Sequence, residues 1–448
     1  IAHEIGHTLG LMHNMGASSA FPVDSLRSVS FTQKYGTTPS IMDYARHNYV
    51  AQPEDKGVKL TPPDLGVYDE YVIQWLYTPV PEAKDMWEEA EIASRLIDEK
   101  AGDPFYRYGR QQIQSQGFGQ YDPSALMEDL GDDPIKAGNY GIKNLKYILP
   151  RMNEWIESDE DTRHRQSLYT QIVNQYYRYL TNALYQIGGI YLTEVKDGTS
   201  GNPVIPVDRE RQKSSLFWVL KELRSCDWIN NPELTNKFPL HTKMSSKICA
   251  LVASNLLTTI PTNVTLSAHV AQEKNAYTIQ EYFNDLYNEV FSSTLRDRKL
   301  TNEEKILQRS IVTAMAKPMI AEKNAQKITA DPIVTIEPSL PSLEELRFLG
   351  LIHPVLLDRF ETQLEYLEEK FGKGAVASAL LTEQFGESRF PFQKAVKVND
   401  ISEIDIYKQN MVDKINKLLK NKRTNAHADD KAHYEYLWRQ TRNALDVN

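Results

Sequence analysis

Apolar side chains recur three and four residues apart through most of this sequence, the spacing that places them on one face of an α-helix. The longest such pattern covers residues 163–187 and ends at Gly188-Gly189, where glycine lets the chain leave the helix. The pattern predicts a mainly α-helical protein with at most a few short strands. Shorter stripes occur at Met86, Ala90, Ala93 and Ile97; at Leu356, Phe360, Leu364, Leu367 and Phe371; at Ile404, Met411, Ile415 and Leu418; and at Tyr434, Leu437, Trp438, Thr441 and Leu445.

Capping boxes, in which an N-cap Ser or Thr is followed three residues later by Glu, mark where several helices begin. They occur at Thr278-x-x-Glu281, Thr301-x-x-Glu304 and Ser342-x-x-Glu345. Residues 101–142 are rich in Gly, Asp and Tyr and predict a loop, which gives way to a short helix after Asn139-Tyr140-Gly141. Residues 190–195 predict a short strand, followed by a turn at Asp197-Gly198.

Composition and charge narrow the range of partners. The chain has 448 residues, of which 41% are hydrophobic and 25% charged, as is ordinary for a globular protein of two or three domains. Its net charge of −9 argues against nucleic acid or an anionic membrane as a partner. We find no apolar run near the roughly 20 residues needed to cross a bilayer. Cys226 and Cys249 are interpreted as two buried thiols, and a disulfide between them is the open alternative.

One stretch near the start, HEIGHTLGLMH, does not fit the plan of amphipathic helices. On a helix, His3 and His7 project from one face one turn apart, as two zinc ligands do. Glu4 lies beside that pair and can act as general base toward a water at the metal. Gly10 is suited to end the helix and turn the chain, so that His13 supplies a third nitrogen. Three protein ligands leave a position open, which is typical of a catalytic zinc site.

A second motif, Ser40-Ile41-Met42-Asp43-Tyr44, follows the histidines. Together the two motifs resemble those of the metzincin zinc endopeptidases, which join HExxHxxGxxH to a downstream methionine turn. The resemblance implies that Met42 forms an apolar floor beneath the imidazoles without binding zinc. It also implies that Tyr44 donates a hydrogen bond to the oxyanion of the reaction intermediate. An ordinary buried methionine and a structural tyrosine are the alternatives for these two positions.

Residues 69–77 resemble the last helix of a metzincin catalytic domain, usually D-x-x-A-I-x-x-L-Y, with Val72 in place of the alanine. Helical spacing predicts that Val72, Ile73, Leu76 and Tyr77 form its buried face. The resemblance divides the chain into the C-terminal half of a catalytic domain (1–80), a loop-rich helical extension (81–160) and a helical C-terminal domain (161–448).

The resemblance also implies that an N-terminal subdomain with a substrate-binding sheet lies outside this chain. We therefore expect these residues alone to be a poor catalyst, although they carry the zinc ligands. The residues after the third histidine are most similar to those of large bacterial metzincins of the gut Bacteroidetes type. That narrower resemblance implies a periplasmic, surface or secreted protein.

Carboxylates near glycine in residues 121–134 raise the question of a calcium ion, which binds oxygen ligands. This segment contains Asp122, Asp129, Asp132 and Asp133, but the spacing does not match an EF-hand loop. Helix caps and turns are the alternative use of such residues.

These observations favour a zinc-dependent endopeptidase, or its C-terminal portion, that acts on a protein or peptide. The residues to which we assign the chemistry are His3, His7 and His13 as zinc ligands, with Glu4 and Tyr44 as catalytic groups. Two alternatives stay open at this point. One is a helical binding or scaffolding module with a non-catalytic metal site, and the other is a metallohydrolase of glycopeptide or peptidoglycan bonds.

Overall fold

The computed structural model describes residues 1–45, 47–63, 65–110, 121–157, 161–193, 202–238, 243–271, 275–328 and 401–445. Helices dominate this part of the chain, which confirms the predicted mainly α class. The α-helices are α1 (Ala2–Thr8), α2 (Val29–Tyr35), α3 (Val67–Tyr77), α4 (Met86–Lys100), α5 (Pro134–Ile148), α6 (Met152–Trp155), α7 (Thr162–Leu184), α8 (Arg209–Arg224), α9 (Pro232–Thr235), α10 (Met244–Leu257), α11 (Thr259–Val270), α12 (Ile279–Val290), α13 (Ser292–Leu295), α14 (Asn302–Ile328), α15 (Ile401–Asn425) and α16 (Ala428–Leu445). Short 3₁₀ helices cover Ser18–Ala20, Val23–Arg27, Pro104–Tyr106, Leu149–Arg151 and Cys226–Asn230.

One compact unit contains residues 1–112, 121–320 and 399–448. A second unit contains residues 113–120 and 321–398, of which only residues 321–328 are described. The predicted stripe from Leu356 to Phe371 and the capping box at Ser342 lie outside the described residues. The division into segments 1–80, 81–160 and 161–448 stays a prediction.

The main hydrophobic core lies among the helices that follow residue 133, with α7 packed against α5 and α8. Helix α7 begins at the Asp161 cap, and Gly188 follows it with a φ of +73°. Tyr169 and Tyr176 lie in this core, and their hydroxyls donate to the backbone carbonyls of Ile229 and Glu222. Tyrosines can therefore fill a buried helix face here because each polar tip has an acceptor.

The two strands form one short antiparallel pair. Strand β1 (Ile190–Leu192) pairs with β2 (Val204–Pro206), with Ile190 opposite Pro206. The predicted strand begins as expected at Ile190 and ends at Leu192, and residues 194–195 of the prediction lie outside the described residues. The predicted turn at Asp197-Gly198 lies outside the described residues.

Helix α5 begins earlier than predicted. It starts at Pro134, so Asn139-Tyr140-Gly141 lie within the helix and not before it. Asp133 caps it by accepting from the backbone amides of Ile135 and Lys136, and proline suits the first helical position. This cap and proline outweigh the weak helix propensity of Gly138 and Gly141, which lie close to Trp218 and Tyr179.

One predicted buried face is wrong in part, and one predicted apolar stripe is not buried. Helix α4 forms, but none of its residues is buried. In α3, Val72 and Ile73 pack against Leu11 and the methionine-turn segment, whereas Leu76 and Tyr77 are 41% and 57% exposed. Periodicity predicts which side chains share a helix face, but burial requires a neighbouring layer, and α3 meets that segment through its first two turns.

One long apolar stretch was missed. Residues Met244–Val270 span 27 residues and are long and apolar enough to cross a membrane, the one such stretch in the described part of the chain. The structure breaks it at Thr258 into α10 and α11, and both helices contribute buried side chains to the main core. Such a composition is expected for buried core helices as well as for membrane spans.

Cys226 and Cys249 are two free, buried thiols, the first of the two interpretations considered. The Cys226 thiol donates to the Leu223 carbonyl at 3.1 Å. The pKa of Cys226 is raised above its ordinary value, mainly by a hydrogen bond with Cys249 and to a smaller extent by burial.

Candidate metal centre

Helix α1 places His3 and His7 on one face and stops before His13. Gly10 has a φ of +87°, a left-handed conformation that glycine adopts without strain. Its amide donates to the His7 carbonyl, and the Leu11 amide donates to the Gly6 carbonyl, both at 3.0 Å. These two bonds form a Schellman motif, which ends the helix and reverses the chain. His13 returns toward the other two histidines as a result.

The three imidazoles converge. One ring nitrogen from each of His3, His7 and His13 lies within 4.8 Å of the others. The Nε2 atoms of His7 and His13 are 3.2 Å apart. Two nitrogens bound to one tetrahedral zinc at 2.0–2.1 Å would be about 3.3 Å apart, so this spacing fits a shared ion.

Backbone carbonyls orient two of the three rings. Nδ1 of His3 lies 2.6 Å from the Ile41 carbonyl oxygen, and Nδ1 of His7 lies 2.9 Å from the Leu11 carbonyl oxygen. A carbonyl can only accept, so each Nδ1 carries the proton and each Nε2 keeps its lone pair for a metal. The Nε2 of His3 is buried and has no hydrogen-bond partner among the described residues. These donors therefore fit zinc, which binds neutral imidazole nitrogen.

Tyr44 lies against the same group of rings. Its hydroxyl is 3.0 Å from Nε2 of His13, and its ring stacks on His3 with centroids 5.2 Å apart. The side chain is half-buried. The phenol is thus held at the ligand nitrogen of one histidine and the ring face of another, which brings a donor to the place where the ligand atoms meet.

Glu4 occupies the first turn of α1 and is exposed. Its carboxylate forms no hydrogen bond or ion pair with any described residue. The carboxylate is therefore available to a water or substrate beside the histidines, since no protein donor competes for its oxygens.

Met42 is completely buried directly below α1. A Cβ built on Gly6 would lie 2.5 Å from the Met42 sulfur, closer than non-bonded atoms approach. The Met42 carbonyl also accepts from the Asn14 amide at 3.0 Å, which joins this turn to the residue after His13. The requirement for glycine at position 6 was not predicted, although Gly6 stands within the motif HEIGH.

Asp69 is a further residue whose part at this site the sequence analysis missed. Its buried carboxylate accepts from the Ser40 hydroxyl at 2.6 Å and from the amides of Ile41 and Gly66 at 2.8 and 2.7 Å. Burial raises the pKa of Asp69, and these three donors oppose that effect. Helix α3 thereby holds the segment whose Ile41 carbonyl orients His3. The one available signal was the aspartate that begins the D-x-x-A-I-x-x-L-Y pattern.

The sequence matches the family profile described as Met-zincin over residues 1–298, which is well over half of the chain. The chain belongs to the Met-zincin family. This match supports metallopeptidase chemistry and zinc as the metal for this Met-zincin. No curated protein and no solved structure matches the chain.

Proposed function

We propose that this Met-zincin is a zinc-dependent endopeptidase that hydrolyses peptide bonds. The observation that carries the proposal is the set of three converging imidazoles in which Nδ1 of His3 and of His7 faces a backbone carbonyl. His3, His7 and His13 would hold the metal through ring nitrogens. When bound, zinc polarises the scissile carbonyl and makes water acidic enough to react near neutral pH.

The remaining steps belong to the chain's own groups. The carboxylate of Glu4 takes a proton from the attacking water as oxygen adds to the peptide carbon, and later passes that proton to the leaving amine. The Tyr44 hydroxyl donates a hydrogen bond to the oxygen that becomes negative. Met42 and Gly6 support the rings from below, and Asp69 positions the turn that carries Met42.

The proposed substrate is a protein or peptide. An extracytoplasmic location and a bacterial relative of Bacteroidetes type follow from the resemblance stated above, and both stay proposals.

The deciding experiment compares Glu4→Gln with His7→Ala by metal analysis and by digestion of an unfolded protein substrate. We expect Glu4→Gln to keep about one zinc per chain while turnover falls roughly 10³-fold or more. His7→Ala should lose both zinc and turnover. Glu70→Gln, an exposed carboxylate in the first turn of α3, is the matched control and should change neither.

Each result separates the proposal from its alternatives. Undiminished peptide hydrolysis by Glu4→Gln would refute the assignment of the general base. Zinc binding by an unchanged chain that cleaves no protein would favour a binding or scaffolding module. A peptidoglycan digest in parallel tests the third class, metallohydrolysis of glycan-linked peptides.

A further inference from the structure

A second group of buried oxygen atoms lies away from the histidines. It consists of Oδ1 of Asp43, Oδ1 of Asp129 and Oγ of Ser18, and none of these atoms has an aligned hydrogen-bond partner among the described residues. The three residues are only 5%, 6% and 0% exposed. Buried polar atoms are normally paired, so three orphaned oxygens in one region require an explanation.

Ser18 contacts both of the segments that carry these carboxyl groups. Its backbone amide donates to Oδ2 of Asp43 at 2.7 Å, and its carbonyl accepts from the Gly131 amide at 3.2 Å. Burial raises the pKa of Asp43, and the nearby serine hydroxyl partly opposes that rise. Ser18 therefore lies between the methionine turn, which carries Asp43, and the loop that carries Asp129.

No positive side chain compensates these carboxyl groups. Among the described residues, no lysine, arginine or histidine forms an ion pair with Asp43 or Asp129. Asp122 behaves differently, because Arg107 donates to it at 3.1 Å. Burial raises the pKa of both Asp43 and Asp129, and the charge of Asp43 further raises that of Asp129. Two buried like charges would destabilise the fold, so either a bound proton or a cation must neutralise them.

We propose that Asp43, Asp129 and Ser18 form a binding site for a hard divalent cation of the calcium or magnesium class, separate from the zinc site. All three atoms without a hydrogen-bond partner are oxygens, the ligand atoms that such ions prefer. The histidine site offers nitrogen instead. Two carboxylates balance a charge of +2. The other aspartates of residues 121–134 have different uses, since Asp132 accepts from the Val23 amide and Asp133 caps α5.

The position of this site gives the ion a structural role. Asp43 stands between Met42 and Tyr44, so an ion that joins it to Asp129 ties the methionine turn to the loop before α5. The Leu130 amide in that loop donates to the Tyr49 hydroxyl, which is a second link between the same two segments. The ion would therefore stabilise the support beneath the histidines without contacting them.

The experiment measures thermal unfolding of the full chain after removal of metal, in EGTA or with added CaCl₂, MgCl₂ or ZnCl₂. The variants are Asp129→Asn and Asp43→Asn, with Asp98→Asn on the exposed side of α4 as the matched control. Calcium or magnesium should raise the melting temperature of the unchanged chain by about 3 °C at saturating ion. The melting temperature of the control should rise by the same amount. Neither site variant should show this rise.

The order of stabilities supplies the sharpest result. With saturating ion, the unchanged chain should be more stable than Asp129→Asn. In EGTA the order should reverse, because the unchanged chain must then bury two like charges or take up a proton, and the variant need do neither. An Asp129→Asn chain that is at least as stable under both conditions would overturn the proposal and indicate a shared proton instead. Absence of calcium and magnesium binding by equilibrium dialysis would also overturn it.

Two further measurements allow the proposal to be tested if one variant does not fold and separate it from the zinc site. If Asp43→Asn does not fold, because it adjoins the buried Met42, Asp129→Asn and dialysis of the unchanged chain still decide the question. Zinc binding at the histidines should persist in Asp129→Asn. The absence of peptidase activity would therefore not contradict the calcium or magnesium site. The absence of that site would likewise not contradict the peptidase proposal.

Discussion

The carboxylate of Asp69 accepts a 2.6 Å hydrogen bond from the hydroxyl of Ser40, and this contact fastens helix α3 to the methionine turn. The same carboxylate accepts from the Ile41 amide, while the Ile41 carbonyl faces Nδ1 of His3. A buried aspartate on one helix is thus connected through a single residue to the orientation of a proposed metal ligand on another. Such outer groups commonly set metal affinity.

Asp69→Asn should weaken both the fold and zinc binding. An amide has one acceptor oxygen and presents hydrogens toward donors, so we expect unfolding to become easier by roughly 2–4 kcal/mol. Zinc affinity should fall roughly 10-fold or more. Denaturant unfolding and a zinc competition titration measure the two effects. Glu70→Gln, the exposed neighbour, is the control, and unchanged zinc affinity in Asp69→Asn would contradict the proposed link.

The two glycines of the opening motif should respond to alanine for different reasons. Gly6→Ala places a methyl group against the Met42 sulfur and should destabilise the fold by roughly 2 kcal/mol, with weaker zinc binding. In Gly10→Ala, the new methyl group would have no atom within 4 Å, so only the φ of +87° is unfavourable. This backbone strain should destabilise the fold by about 1 kcal/mol.

A double-mutant cycle separates these two effects. Met42→Ala removes the sulfur, so it should relieve much of the destabilisation by Gly6→Ala and none of that by Gly10→Ala. Strict additivity of Gly6→Ala with Met42→Ala in denaturant unfolding would argue against the close contact as the cause.

Tyr44→Phe tests the phenol alone. Phenylalanine retains the ring that stacks on His3, so zinc content should not change. Turnover should fall roughly 10²-fold, the usual effect of removing one oxyanion donor. Tyr77→Phe is the matched control, since its hydroxyl donates to the Leu9 carbonyl at the end of α1. Equal kcat values for the two variants would remove Tyr44 from the catalytic groups.

His433 should make the helical core sensitive to acid. Burial, with smaller contributions from Arg309 and Lys305, lowers its pKa from 6.5 to about 4. As the pH falls from 6.5 to about 4, the unfolded chain binds a proton at this histidine and the folded chain does not. The free energy of unfolding therefore decreases over this pH range. The full effect corresponds to roughly 3 kcal/mol.

Replacement of this histidine should remove the acid sensitivity. His433→Gln keeps a donor for the Gln308 side chain, which lies 3.0 Å from Nε2 of His433, and cannot titrate. Melting temperatures between pH 4 and pH 7.5 should vary less in this variant than in the unchanged chain. His427→Gln, at an exposed position, should leave the pH dependence as it was. An identical profile in both variants would show that other groups control the acid response.

The sequence by itself determined the features that depend on neighbours along the chain. Helical periodicity marked α7, capping boxes marked the starts of α12 and α14, and Gly10 ended α1. These signals succeed because backbone geometry and local hydrogen bonds fix them within a few residues. The spacing of His3 and His7 belongs to the same class, because one helical turn aligns any two residues four apart.

Only the tertiary structure decided which groups meet across long stretches of sequence. Gly6 lies against Met42, Asp69 holds Ser40 and Ile41, and Ser18 lies between the segments that carry Asp43 and Asp129. Likewise, the helical spacing of Leu76 and Tyr77 did not predict that both side chains are exposed. A side chain's position on a helix is a property of that helix, whereas its burial and its partners depend on how distant segments pack.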